Sequence, residues 1–359
     1  MKIGIDIQST QCNVTGIGYY VRNLIRHLKD FPGAEFFYYK YPEDRDLNTP
    51  GRIYWENFGL TGLAKKDNID ILHIPGFAGP MAKGRYKKVT TVHDLIGMIY
   101  PGNLSPVSRF YWQKWLPACV RNSDMIIAQS ECTRKDIMRL LNVPAEKIRV
   151  ILQAAREDFR RIDDDEKLAA IRDKYGLPSE FVLSVGTIEP RKNITGLVEA
   201  FAGYVKEAGR DLKLVLVGKK DWGYGDAEKK IRESGLGSKA VFAGYVPDSD
   251  LPAIYNLAKF FVFPSFYEGF GLPVLEALSC GKPVISSNVS SLPEIAGDAA
   301  ILVDPHDIRQ LREEIKRVDE DSSYRSELSN RALEHAKRFS WKETAAGTLE
   351  VYKEVIEKG

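Results

Sequence analysis

The sequence predicts two α/β domains in tandem, each a parallel sheet with helices on both faces. Three observations predict it. Short apolar runs of strand type alternate with segments of helical periodicity along almost the whole chain. At 359 residues the chain is longer than one hydrophobic core ordinarily serves. The alternation is interrupted at residues 155–165, where charge replaces the apolar pattern.

Ile3-Gly4-Ile5-Asp6-Ile7 reads as a buried strand. A polar loop leads to Gly16-Ile17-Gly18, and residues 19–28 have helical periodicity. Strand, glycine-rich loop and helix is how α/β folds bring backbone N–H groups to a ligand. Residues 19–22 supply no third glycine, so the dinucleotide fingerprint is absent. Strands follow at 36–39, 69–74, 88–92, 125–128 and 148–152, with helices at 54–65, 106–121 and 131–141. In the charged break, Asp163-Asp164-Asp165 reads as the cap of a helix starting near Glu166, in preference to a metal site. The second series has strands at 181–185, 212–217, 240–242, 260–263, 283–286 and 300–303. Its helices fall at 194–208, 226–234, 248–257, from Leu272, and from Asp307 onward. Residues 341–357 form a closing amphipathic helix with Trp341, Ala345, Leu349, Tyr352 and Ile356 on one face. Periodicity alone leaves open which domain it packs on.

Composition narrows the function. A hydrophobic content of 44% and a charged content of 28% describe a globular chain. The net charge of +2 gives no support to nucleic-acid binding. The four cysteines lack Cys-x-x-Cys spacing and the five histidines form no ligand-spaced pair, so neither a disulfide framework nor a zinc site is expected. No apolar run approaches the roughly 18–20 residues that cross a bilayer, and the chain opens directly in a strand. The expected location is cytoplasmic, with peripheral contact at the inner face of the membrane left open. Tyr111, Trp112, Lys114 and Trp115 are the residues for such a patch, with two of the three aromatics also reading as core.

The chemistry concentrates at residues 260–276. The run Phe260-Phe261-Val262-Phe263 ends at Pro264, which supplies no N–H to continue a ladder. A turn bracketed by Gly269 and Gly271 follows, then a helix from Leu272 with Pro273 in its first turn. Gly269, Phe270, Gly271 and Leu272 let the backbone approach a ligand and present unpaired N–H groups. Glu268 in the turn is placed to accept from sugar hydroxyls, or to cap the helix. Glu276 lies in an apolar stretch, an unusual place for a solvated carboxylate, and is placed to hold a vicinal diol such as ribose. After strand 181–185, Arg191 and Lys192 precede a helix, a pairing suited to a pyrophosphate. His93 ends strand 88–92. Ser130 follows strand 125–128 and equally reads as a helix cap.

Glu268 and Glu276, with Gly-Phe-Gly-Leu-Pro between them, resemble the Glu-x7-Glu signature of retaining GT-B glycosyltransferases of group 1 (family 4). The resemblance covers nearly the whole chain. It includes Gly16-Ile17-Gly18, His93-Asp94, Ser130-Glu131, 185–192, Gly244-Tyr245-Val246, Gly281-Lys282-Pro283-Val284 and Ser291-Leu292-Pro293-Glu294. It implies two Rossmann-like domains facing each other across a cleft, residues 1–160 with 341–359 on the acceptor side and 161–340 binding the nucleotide sugar. The final helix would cross back to the first domain. Glu276 would hold the ribose and Glu268 the transferred sugar, with the backbone of Phe270, Gly271 and Leu272 meeting sugar and diphosphate. Arg191 and Lys192 would neutralise the diphosphate, and Val246 would sit against the base. Gly16 and Gly18 would approach the phosphates, and His93 would lie near donor sugar and acceptor.

The chain departs from the family pattern in two places. Thr187 stands where the family often has arginine, and Gln153-Ala154 replaces a frequent Asn-Gly. Gly218-Lys219-Lys220-Asp221-Trp222 resembles bacterial mannosyltransferases of surface-polysaccharide synthesis, which favours GDP-mannose as donor over UDP- or dTDP-sugars. The implied reaction is retaining hexosyl transfer to a saccharide or lipid-linked saccharide. It needs no cofactor and no metal, because Arg191, Lys192 and a helix start carry the leaving-group charge. A nucleotide-sugar epimerase of the same architecture and a non-catalytic nucleotide-sugar-binding protein are the competing readings.

Overall fold

The computed structural model describes every residue except 12–15, 30, 44, 46, 77, 103, 222 and 359. Trp222, part of the mannosyltransferase-like motif, therefore lies outside the described residues. The chain divides into two compact units, Met1–Ala154 with Phe339–Gly359, and Ala155–Arg338.

The first unit has six parallel strands: β1 (Lys2–Asp6), β2 (Glu35–Tyr39), β3 (Ile71–Ile74), β4 (Lys87–Val92), β5 (Met125–Ala128) and β6 (Ile148–Val150). Their order is β2-β1-β3-β4-β5-β6. Central strands are buried from end to end, as expected where helices cover both faces. Helix Trp341–Glu357 belongs to this unit, its Trp341, Ala345, Leu349 and Tyr352 packing with Ile3, Ile5, Tyr20 and Leu24. Polar pairs fix its position: Tyr352 Oη lies 2.7 Å from His73 Nδ1, and Thr344 Oγ1 donates to the Leu152 carbonyl at 2.8 Å. Arg149 Nε donates to Glu354 Oε2 at 2.9 Å. Ile356, assigned to the apolar face from its spacing, is 41% exposed, and Val355 is buried in its place.

The second unit has β7 (Phe181–Val185), β8 (Lys213–Val217), β9 (Ala240–Gly244), β10 (Phe260–Phe263), β11 (Val284–Ser287) and β12 (Ile301–Val303). All are parallel, in the order β12-β11-β10-β7-β8-β9. Side chains alternate between two core layers: Leu183, Phe261 and Phe263 face one, Val182, Phe260 and Val262 the other. The reversal of strand order falls between β7 and β10, which is where an open α/β sheet leaves a crevice at its carboxyl edge.

One boundary reading changes. Residues 155–160, grouped from sequence with the first domain, belong with the second because Phe159 is buried there against Tyr255. The acidic run is the helix cap that the sequence suggested: Asp164 caps the start of helix Asp165–Tyr175, accepting from the Lys167 N–H at 2.9 Å.

Candidate active site

The reversal of strand order builds the second unit's site. Beyond β7 and β8 the chain packs backbone on backbone: Gly186 N–H donates to Val217 O and Gly218 N–H to Gly244 O, both at 2.8 Å. A Cβ on Gly218 would lie 1.9 Å from the Gly186 carbonyl oxygen, and its φ of +151° already favours glycine. Glycines at the carboxyl ends of β7, β8 and β9 thus form a floor without side chains.

A single turn, Pro190–Lys192, then carries the cations, with Asn193 in the left-handed region (φ +53°) turning the chain into helix Ile194–Ala208. Lys192 Nζ lies 2.7 Å and Arg191 Nη1 2.9 Å from the same oxygen, Oε1 of Glu268 beyond β10. Ser265 Oγ donates to that oxygen at 2.6 Å. Arg191 also pairs with Glu189 and donates to the Tyr267 carbonyl. Its own carbonyl accepts the Phe266 N–H at 2.8 Å, which ties the two loops together. Burial pushes the Glu268 carboxyl upward in pKa. The Lys192 and Arg191 charges and the bonds from Lys192 and Ser265 outweigh burial and hold it below the usual value. The carboxylate is therefore ionised between two cations.

Gly271 (φ +102°) starts helix Leu272–Ser279, and a Cβ there would lie 2.8 Å from Leu292 Cδ2. Ser291 Oγ sits 3.0 Å from the Glu268 carbonyl oxygen and 2.8 Å from that of Phe270. Ser290 Oγ accepts the Glu268 N–H at 3.0 Å. These serines set the backbone path of residues 268–270, so that Gly269 to Leu272 opens beside the cation pair. Inside this helix Glu276 Oε2 accepts from Tyr255 Oη at 3.0 Å. Burial raises its pKa to about 7, against the Tyr255 bond and the Arg156 charge. Val246, expected against the base, is a core residue at 3% exposure, so only its backbone is available. Its neighbour Tyr245 is 60% exposed, with Lys219 Nζ 5.3 Å from the ring centroid.

In the first unit, Gly16 and Gly18 lie within the first turn of helix Gly16–Leu28, not in a loop ahead of it. His93 Nε2 is 2.7 Å from the Pro75 carbonyl, which can only accept, so Nε2 carries the proton. Burial lowers the His93 pKa to about 4, against that bond, so the ring is neutral at physiological pH. The His93 ring meets Tyr20 edge-on at 4.8 Å. A cavity of about 360 Å³ opens beside His93, lined also by Asn48, Thr49, Arg52, Asp94 and Trp112. Ser130 is a cap, accepting from the Thr133 N–H at 3.0 Å. The aromatic patch expected at the surface is largely inward: Tyr111, Trp112 and Trp115 pack on the core around Leu116, and only Lys114 is exposed. The exposed apolar side chains of that helix are Val107 and Phe110.

The structure thus brings Arg191, Lys192 and Glu268 into one cluster, with Gly269, Phe270, Gly271 and Leu272 alongside and Glu276 further along the same helix. Among the described residues no group of three or more His, Cys, Asp or Glu side chains is arranged to hold a metal ion. Sequence reasoning missed Ser265, Tyr255 and Tyr245. Ser265 and Tyr245 lie within stretches named from the sequence, 260–276 and Gly244-Tyr245-Val246, whereas nothing in the spacing pointed to Tyr255.

Comparison with known proteins decides the family. Residues 169–335 match the description "Glycosyl transferases group 1" and residues 14–154 match "Glycosyltransferase Family 4". The chain is 35% identical to the O-antigen chain mannosyltransferase B of Escherichia coli, over 98% of this chain and 100% of that one. The protein belongs to the group 1 glycosyltransferases. Sucrose-phosphate synthase from Thermosynechococcus elongatus superposes with a TM-score of 0.77 at 22% identity, covering 100% of both chains. HepE from Anabaena, solved with UDP and glucose, superposes at 0.74 and 18%, covering 98% of this chain and 99% of that one. The fold of this group 1 glycosyltransferase is GT-B, built from two Rossmann-like units. Within the family's Glu-x7-Glu signature, Glu268 and Glu276 have different settings: one is held ionised between cations, the other is half-buried beside a tyrosine.

Proposed function

We propose that the protein transfers mannose from GDP-mannose, with retention at the anomeric carbon, to a saccharide or lipid-linked saccharide in surface-polysaccharide synthesis. The observation that carries this reading is the convergence of Arg191 and Lys192 beside a helix start at the reversal of strand order. The mannose preference draws support from the relative in Escherichia coli, whose name specifies O-antigen chain mannosyl transfer.

In the reaction the bond from the sugar C1 to the diphosphate oxygen breaks as the acceptor hydroxyl oxygen bonds to C1 on the same face. The hydroxyl proton passes to the departing phosphate oxygen. Arg191, Lys192 and the N–H groups at Gly271 and Leu272 stabilise the charge that develops there, and fixed donors of this kind dominate such catalysis. Glu268 holds the two cations in place and offers the carboxylate edge nearest the transferred sugar. Glu276 takes the ribose hydroxyls, Tyr245 and the backbone at Val246 the base. The first unit's cavity, with a neutral His93, Asp94, Asn48 and the Trp112 ring, has the mixture of aromatic face and polar edges that suits an acceptor sugar. No described helix is long and apolar enough to cross a membrane. With a lipid-linked acceptor, contact at the inner membrane face would run through exposed Val107 and Phe110 with Arg109 and Lys114.

The test is turnover of GDP-mannose, UDP-glucose and dTDP-sugars with mannose-terminated acceptors, the product anomer being read by NMR. GDP-mannose-dependent α-linked product is expected. Donor conversion without an acceptor would instead favour the epimerase, and saturable binding without any turnover the binding protein.

A further inference from the structure

Glu276 does not meet its ligand unaided. The Tyr255 ring is wholly buried among Phe159 and Phe261, at 5.5 and 5.3 Å between centroids, so the position of its hydroxyl is fixed by the core. Burial and the Glu276 carboxylate keep that hydroxyl protonated well beyond neutral pH, so towards the carboxylate it acts as a donor. With Oε2 accepting from Tyr255 at 3.0 Å, Oε1 is the oxygen left for a diol. The Arg156 charge also favours the ionised carboxylate, and its guanidinium stacks 4.8 Å from the Phe159 ring centroid and is gripped by Asp158 at 2.8 and 2.9 Å. It also donates to the Asp248 carbonyl at 2.6 Å.

We propose that Tyr255 is a positioning residue for donor binding, its hydroxyl turning Glu276 towards the nucleoside ribose, with the Arg156 charge in support from beside Phe159. The inference rests on the ribose assignment of Glu276 made above. The ionisable groups around Glu276 are Tyr255 on helix Leu251–Leu257, Arg156 and Asp158 ahead of the first helix of this unit, Asp248 after β9, and Cys280 beyond its own helix. Tyr255 and Arg156 favour the ionised carboxylate, whereas Asp158 and Asp248 oppose it. With its pKa near 7, Glu276 binds a diol better as pH rises through that value, because a carboxylate accepts both hydroxyl protons. Loss of the Tyr255 bond moves the midpoint upward by about one pH unit, since a hydrogen bond to a charged group is worth roughly that much, and loss of the Arg156 charge moves it in the same direction.

The test uses the full chain, Tyr255→Phe and Arg156→Gln, with calorimetric titration of GDP and 2′-deoxy-GDP over about three pH units, from roughly 5.5 to roughly 8.5, spanning the pKa. The wild type should prefer GDP about tenfold, as expected for one hydrogen bond to a charged group. In Tyr255→Phe that preference should shrink severalfold and the pH midpoint should rise, with donor KM increasing and kcat for bound donor little changed. Arg156→Lys, which keeps the charge, should restore most of what Arg156→Gln loses. Phenylalanine retains the buried ring, and thermal denaturation reports any change of fold separately. A wild type that binds both nucleotides equally would overturn the ribose assignment, and the positioning role with it. A discriminating wild type whose Tyr255→Phe variant keeps both the preference and the midpoint would overturn the positioning role alone.

Discussion

Replacing Lys192 with methionine removes a charge while leaving a side chain of similar length over the Phe263 ring, where Nζ now sits 4.8 Å from the centroid. Two effects are expected and can be separated. In the folded protein Glu268 loses one of two cations, but Arg191 remains 2.9 Å away and Ser265 2.6 Å. Stranding a buried charge completely costs about 3–5 kcal/mol. With these two partners retained, the loss should be nearer about 1–2 kcal/mol, the scale of one hydrogen bond to a charged group. In the transition state the leaving diphosphate loses a cation at close range. Two unit charges about 4 Å apart interact by about 4 kcal/mol at an effective dielectric constant near 20. Deleting one fixed oxyanion donor lowers kcat by about 100–1,000-fold. Turnover of GDP-mannose should therefore fall by two to three orders of magnitude on that basis, with only a modest change in thermal midpoint. The double variant Lys192→Met with Glu268→Gln removes both charges, so its stability should recover while turnover stays low. Turnover within about threefold of wild type in the single variant, well short of a donor loss, would refute the phosphate role. Recovery of turnover together with stability in the double variant would show that Lys192 serves only Glu268.

Tyr245→Ala should raise the donor KM about tenfold, the scale of base–aromatic stacking, with thermal stability nearly unchanged because the ring is exposed. Equal KM values would place the base elsewhere. Asp319, whose side chain is fully buried, pairs with Lys259 at 2.6 Å and Arg210 at 3.2 Å. Burial opposes its ionisation, but the Lys259 and Tyr204 hydrogen bonds and the Lys259 charge hold its pKa below 3.8. Its contribution to stability is thus complete above that value and disappears as pH falls through the lower folded pKa. Asp319→Asn should cost about 3 kcal/mol at neutral pH and flatten the acid limb of a urea-denaturation series. An unaltered acid limb would remove Asp319 from that account. Transfer should proceed at full rate in excess EDTA, and a loss of activity that Mg2+ or Mn2+ restores would overturn the assignment of leaving-group charge to Arg191, Lys192 and the helix start.

The fold was legible because parallel strands covered on both faces become continuous apolar runs, as at Phe260-Phe261-Val262-Phe263, which no amphipathic pattern obscures. Ile356 was misplaced because the closing helix buries Val355, a difference of one residue that a five-residue stripe does not resolve. At the site, the residue types were readable but their pairing was not. Lys192 and Glu268 stand 76 positions apart, and only the adjacency of β7 and β10 brings them within 2.7 Å. Neighbouring residues can also exchange roles without any signal in composition: alternation sends Val246 into the core and leaves Tyr245 outside. Tyr111, Trp112 and Trp115, of which the sequence already read two as core, all turn inward for a similar reason. They lie on a helical stretch whose inward face takes all three rings, with Trp112 filling the space that a side chain on Gly97 would need.

Helix Trp341–Glu357 has a consequence for how the chain is made. The first unit begins to leave the ribosome with β1, yet part of its core is Trp341, Ala345, Leu349 and Tyr352, which are synthesised after the whole of the second unit. Until they arrive, Ile3, Ile5, Tyr20 and Leu24 lack one wall, and buried His73 lacks its tyrosine partner. The unit that starts first therefore finishes last. Ala155–Arg338 holds all of its own strands and can close while its neighbour is still incomplete, so a nascent chain would expose the apolar flank of the first sheet throughout that interval.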